Sequence, residues 1–267
     1  MRKYFTVFKI SFQQEFAYKL NFIMWRVRNV LQIFLIFFLW DAVFSRPDAI
    51  VFGYDKAKIL TYIFGVMLVR ALVFSARSVD VPGEISEGNL TNYILKPMGY
   101  FKYWFVRDLS SKALNFAFSI VEFAILFFLL KPPFFWQTSL LFLILFLLSL
   151  AIANYLVFVI RFIVSFITFW IPELAWGAQF LFMMIITEFL SGSVFPLDIL
   201  PIALQKVFYM TPFPYLLFFP LQVYLGKLPL NVIFEGITIS IIWSLVLTVF
   251  MKIVWAKGLI EYRAEGR

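Results

Sequence analysis

An all-α integral membrane protein with six crossing helices is the fold class this sequence predicts, and three observations carry it. Of its 267 residues 63% are hydrophobic and 14% charged, whereas a water-soluble domain of that length needs about 25% charged residues to cover its surface. The apolar residues gather in runs that approach the roughly 20 a helix needs to cross a bilayer. Most of the lysines and arginines sit between those runs or at their ends, where they act as topology signals.

The same composition narrows the chemistry. Cysteine and histidine are both absent, which removes disulfides, thiol catalysis, thiolate or imidazole metal sites and any histidine-based triad. Carboxylates, hydroxyls and lysines remain, a poor set for an enzyme. The net charge of +8 is spread between the spans, so it reads as headgroup contact and orientation rather than a surface for nucleic acid. No unbroken apolar run follows Met1-Arg2-Lys3, because Gln13, Gln14 and Glu15 interrupt it, and a cleavable signal peptide is not expected.

Residues 1–18 carry Phe5, Phe8, Phe12 and Phe16 at helical spacing, with Lys3, Thr6, Lys9 and Gln13 largely on other faces. That pattern fits an amphipathic helix in the membrane interface; the plainer alternative is the start of the first span. The spans are expected at about 22–44, 59–74, 113–130, 139–164, 175–190 and 230–255. Polar residues with Pro47 and Gly53 make an outer loop between the first two, and Lys131-Pro132-Pro133 predicts a tight outer turn. The long polar stretch 75–112 lies on the opposite side. A boundary falls at Pro172, since proline cannot continue a helix without losing a hydrogen bond. Residues 191–227 are apolar but broken by Pro196, Pro201, Pro212, Pro214 and Pro220. Two short helices that enter from the outer face and return fit there, as a re-entrant hairpin between spans five and six; such backbone is tolerated only when buried or lining a cavity.

Orientation follows from the basic residues. Arg46, Lys56, Lys58, Lys131, Lys206 and Lys227 fall on the outer side, Arg70 falls within span two, and the other sixteen fall inside. Both termini are therefore expected in the cytoplasm. The sequon Asn89-Leu90-Thr91 then lies on the cytoplasmic side, where it is not glycosylated.

Within 75–112, Asp80 is placed to cap a short helix, Pro82 suits its first turn and Glu84 favours the positive end of its dipole. Gly88 is placed to end it after about two turns. A short capped helix beneath the membrane can dock a cytoplasmic partner, through Pro82, Glu84, Ile85, Glu87, Gly88 and Leu90; an ordinary loop covering the bundle is the alternative. Charges inside spans are expensive and point to function by default. Glu122 near the middle of span three, Glu188 late in span five and Arg70 in span two are the candidates for a translocation pathway. Arg70 is a candidate partner for Glu122, and a paired structural carboxylate is the alternative role. The 37 phenylalanines read as lipid-facing and packing residues.

Three stretches resemble the permease subunits of type-2 ABC exporters. Glu84-Ile85-Ser86-Glu87-Gly88-Asn89-Leu90 with Tyr93-Ile94-Leu95-Lys96-Pro97 is similar to the segment holding that family's coupling helix. Leu190-Ser191-Gly192-Ser193-Val194-Phe195-Pro196-Leu197 with Leu200-Pro201 resembles the end of its fifth span. Pro212-Phe213-Pro214-Tyr215 with Phe219-Pro220 and Leu225-Gly226 resembles its outer half-helices. The order of elements agrees over the whole chain, as a single permease domain over 1–267, from the interfacial helix to a cytoplasmic tail at Trp255-Ala256-Lys257-Gly258-Leu259.

The resemblance implies a membrane subunit of an ATP-driven exporter in the plasma membrane, with no catalytic residues. No phosphate-cradling G-x-x-x-x-G-K-[ST] occurs, so ATP and magnesium are expected on a separate ABC ATPase dimer. This chain is expected to hold no cofactor, to contact lipids, and to pair with a second permease, identical or homologous. Gly192, Pro196, Pro201, Pro212 and Pro214 fall where the family's outer re-entrant gate lies. The competing reading is a secondary transporter driven by protons through Glu122 and Glu188; the lack of an internal repeat and the single proline-broken segment count against it.

Overall fold

A computed structural model of the protein describes residues 2–15, 19–44, 46 and 50–262. Phe16 and Tyr18 of the expected interfacial helix, Pro47 of the first outer loop, and Arg263 and Arg267 of the tail lie outside them, as do the side chains of Arg2 and Lys19. The described residues are helical nearly throughout. The only bridge among them joins Val51 to Tyr54 across a turn in which Phe52 and Gly53 have positive φ.

Helix α1 (Arg2–Glu15) packs along α6 (Tyr100–Leu130), burying Ser11 and leaving Phe5 exposed. Helix α2 (Lys19–Val43) packs on α3 (Lys56–Val73), whose first turn is capped by Asp55 accepting from the Lys58 amide at 2.7 Å. The chain then bends by 62° into α4 (Val81–Ser86), followed by α5 (Thr91–Ile94). Helix α7 (Leu140–Ser165) is the central post, in contact with α3, with α11 (Phe218–Tyr224) and with α12 (Leu230–Glu261).

Four segments among the described residues are long and apolar enough to cross a membrane: Tyr100–Leu130, Leu140–Phe169, Pro172–Leu190 and Leu230–Glu261, or five if α3 and α4 form one bent span. The most apolar stretch of α7 is 50% buried, whereas those of α6 and α12 are 17% and 22% buried. Their remaining apolar surface, such as Ile242, Leu245, Val249 and Ile253 on α12, faces outward, as lipid-facing helices require.

Several expectations are corrected. Helix α6 begins at Tyr100, inside the stretch read as polar loop, because Trp104, Arg107, Asp108 and Lys112 are buried by tertiary packing that no hydropathy window detects. Lys131 caps α6 in the left-handed region, and residues 131–139 form a nine-residue irregular connection rather than a tight turn; the amide of Phe135 donates to Thr61 Oγ1 at 2.7 Å. The expected tail from Trp255 to Leu259 is instead the last turns of α12, where Trp255 stacks on Tyr100 at 4.8 Å and Gly258 is buried.

The segment after Pro172 continues through α8 (Ala175–Gln179), a π-helix (Phe180–Ile186) and α9 (Thr187–Leu190). Two short helices do follow, α10 (Ile202–Tyr209) and α11, but they differ in environment. Residues Phe218–Val223 of α11 are buried against α7, while α10 exposes Ile202, Leu204 and Val207.

Candidate functional site

A cavity of about 710 Å³ opens between α2, α3, α6, α7 and the Pro172–Leu190 segment. Glu122, Glu188 and Arg70 all border it, on three different helices. Arg70 does not meet Glu122. Its guanidinium instead pairs with Glu188, and also donates to Gln32 Oε1 at 3.4 Å. Glu122 pairs with Arg26 of α2 at 3.5 Å, and Arg26 also bonds Asn115. Sequence reading treated Arg26 as an orientation signal; its position inside the apolar run expected to begin at residue 22 was the available sign of a buried partner.

Of the residues placed at the outer end, Pro196 borders the cavity and Gly192 lies just behind it. Gly192 has φ +81 and its carbonyl accepts from the Tyr62 hydroxyl at 2.6 Å. Pro201 precedes α10, and buried Pro212 and Pro214 set up the short turn before α11. A polar lock ties this region to the 51–54 turn. Asp198 accepts from Tyr54 at 2.9 Å and from Lys227 at 2.8 Å, and Gln222 donates to the Tyr54 hydroxyl.

At the other end, α4 closes the bundle. Pro82 lies in its first turn and Gly88, with φ +75, follows its end, both as the spacing predicts. Asp80 does not cap it: its backbone is already helical and its side chain makes no cap bond. Val81, Pro82, Ile85 and Leu90 point inward with Trp104 and Phe166, and Gly83 lies against Trp176 of α8. The exposed surface of the segment is Glu87 and Asn89, which bond each other at 3.0 Å. Tyr262 pins it from behind, donating to the Gly88 carbonyl at 2.5 Å and accepting from the Thr91 amide at 3.2 Å.

Burial pushes the Glu84 carboxyl up to about 7, against the opposing hydrogen bond from Tyr93 and the charge of Arg107. An acid with a raised folded-state pKa holds its proton in the folded chain after the unfolded chain has released it. Its contribution to stability is therefore greatest below about pH 4.5 and falls as pH rises to about 7. The thermal midpoint of Glu84→Gln should accordingly gain on wild type between pH 5 and 7.5; parallel pH profiles for the two proteins would contradict this.

Between α4 and the cavity lies a buried charged cluster that sequence reading missed. Asp108 accepts from the amides of Arg77 and Ser78 at 2.8 and 2.7 Å and from Ser78 Oγ at 2.8 Å. Lys112 donates to the carbonyls of Leu72 and Val73 at 2.9 and 2.6 Å, and Arg161 of α7 to that of Phe74 at 2.9 Å. These are the carbonyls a helix leaves unpaired at its C-terminus. The cluster therefore fixes the bend between α3 and α4 to both α6 and α7. Its one sequence sign was the spacing of Asp108 and Lys112, four apart and so on one helical face.

The bundle thus combines outward-facing apolar helices, a cavity bordered by buried charges and a short helix packed across one end. The family model described as ABC-2 family transporter protein matches residues 30–266, and the chain belongs to that family. It is a permease of an ABC transporter. A comparison with curated proteins finds no match.

Proposed function

We propose that this chain is the membrane-spanning subunit of an ATP-driven exporter, and that the cavity is part of its translocation pathway. In this reading α2 serves as the first of six spans, exposing Ile23, Leu31, Leu35 and Phe38 to lipid or to a second permease. The α10–α11 region serves as the outer gate, and both termini face the cytoplasm. ATP and magnesium are held by a separate ATPase dimer, one subunit docking on each α4 of a permease pair.

The observation that carries the reading is the continuity from α4 to the cavity. Displacement of α4 acts on the Asp108–Lys112–Arg161 cluster, and Arg161 itself borders the cavity. A push from an ATPase thus has a stiff route to the pathway.

The test is co-purification of tagged full-length protein in mild detergent, wild type against Glu87→Lys/Asn89→Lys. Both positions are exposed, so the fold is retained. An ABC ATPase should accompany wild type, and its yield should fall by about tenfold in the variant, as expected for like or bulky charge at a docking surface. If no ATPase accompanies wild type under conditions that preserve such complexes, the reading of this chain as the membrane subunit of an exporter with a separate ATPase fails. Equal yields would move the docking site away from α4.

A further inference from the structure

The cavity carries an excess of positive charge. Arg26, Arg70, Arg77 and Arg161 border it, against Glu122 and Glu188 only. Neither carboxylate is available to a bound cation without breaking a pair, since Glu122 is held by Arg26 and Glu188 by Arg70. The charges just behind the wall do not alter the balance. Asp80 acts on Arg77 and Arg107, and Asp108 acts on Lys112 and Arg161, which adds two groups of each sign. Arg28, in electrostatic reach of Arg70 and Glu188, extends the excess.

The excess has a focus. Arg161 is only 6% exposed, and its Nε has no hydrogen-bond partner although its Nη2 donates to Phe74. Further along the same wall, the Ser193 hydroxyl is likewise buried without a partner. Buried donors of this kind are costly unless a partner arrives, and a guanidinium selects an oxyanion. The remaining wall is apolar, formed by Ile33, Ile36, Ile63, Val66 and Met67. A volume of about 710 Å³ falls within the range of cavities that hold drug-sized ligands.

We propose that this cavity binds an amphiphile with a single anionic headgroup, phosphate or carboxylate, the headgroup seated at Arg161 and Arg77 and the apolar chain along α2 and α3. The assignment rests on the permease reading of the cavity and names its substrate class. Cationic amphiphiles of the same length are selected against, because the two carboxylates are already committed.

The experiment is equilibrium dialysis of radiolabelled octyl phosphate against the full-length protein in nanodiscs of zwitterionic lipid, with octyltrimethylammonium and octanol as comparators. Octyl phosphate should bind at least tenfold more tightly than either. Arg161→Gln and Arg77→Gln should each weaken it about tenfold while leaving octanol binding unchanged. Should Arg161→Gln fail to fold, Arg77→Gln and the headgroup comparison on wild type still decide.

Equal or tighter binding of octyltrimethylammonium overturns the proposal. So does an anion preference that survives both substitutions, which would place it on the basic surface. Lysophosphatidylglycerol separates the sources: displacement of octyl phosphate assigns the site to lipid, and no displacement assigns it to free anionic amphiphiles. The dialysis needs no ATPase. Loss of the ATPase partner in the co-purification with binding retained therefore refutes the exporter reading alone, and the reverse pattern refutes the anion site alone.

Discussion

Replacing Asp108 with alanine should lower the stability of the solubilised protein by about 3–5 kcal/mol, the usual result of removing one partner from a buried ionic cluster. The substitution strips the acceptor from two backbone amides and the Ser78 hydroxyl. It also leaves Lys112 and Arg161 as buried cations with no carboxylate in reach. Thermal unfolding followed by size-exclusion fluorescence should show a midpoint drop on the order of 10 °C. Asp108→Asn keeps an acceptor for one amide and loses the charge, so it should fall between wild type and alanine. An alanine variant that melts with wild type would show that the cluster does not hold the bend.

Gly192→Ala should cost about 2–4 kcal/mol, combining backbone strain with overpacking. At φ +81 an L side chain is disfavoured, and its Cβ would fall 2.9 Å from the Tyr62 hydroxyl and 3.0 Å from Phe218 Cβ. Tyr62→Phe alone forfeits the bond to the Gly192 carbonyl and should cost about 1 kcal/mol. The double variant should be less damaged than the sum of the two, since phenylalanine removes one of the two closest contacts. Additive losses would show that the strain sits in the backbone and at Phe218. A wild-type midpoint for Gly192→Ala would remove the steric argument altogether.

What the sequence disclosed and what it withheld divide along physical lines. Long apolar runs, the break at Pro172 and the glycine that ends α4 are local features, and helices form there, although α6 starts earlier and α12 ends later than the apolar runs indicate. Glu122, Glu188 and Arg70 stand out because a charge in an apolar run is rare, and all three border one cavity. Their pairing was not legible, since contact between helices distant in sequence leaves no periodic trace. The charged cluster escaped for a related reason. Asp108 and Lys112 sit in a stretch polar enough to pass for loop, and only tertiary packing, which buries Trp104, Arg107, Asp108 and Lys112 together, draws that stretch into the bundle. The π-helix at Phe180–Ile186 carries no proline or glycine to announce it, and such turns are frequent at functional sites.

The bend after α3 has a consequence for the membrane around it. A transmembrane helix ordinarily stops near the depth where water can take over its last carbonyls, so its length is matched to the hydrocarbon thickness. The last carbonyls of α3 are taken instead by Lys112 and Arg161. This helix end brings its own solvation with it, so bilayers of different thickness need not shift where α3 stops.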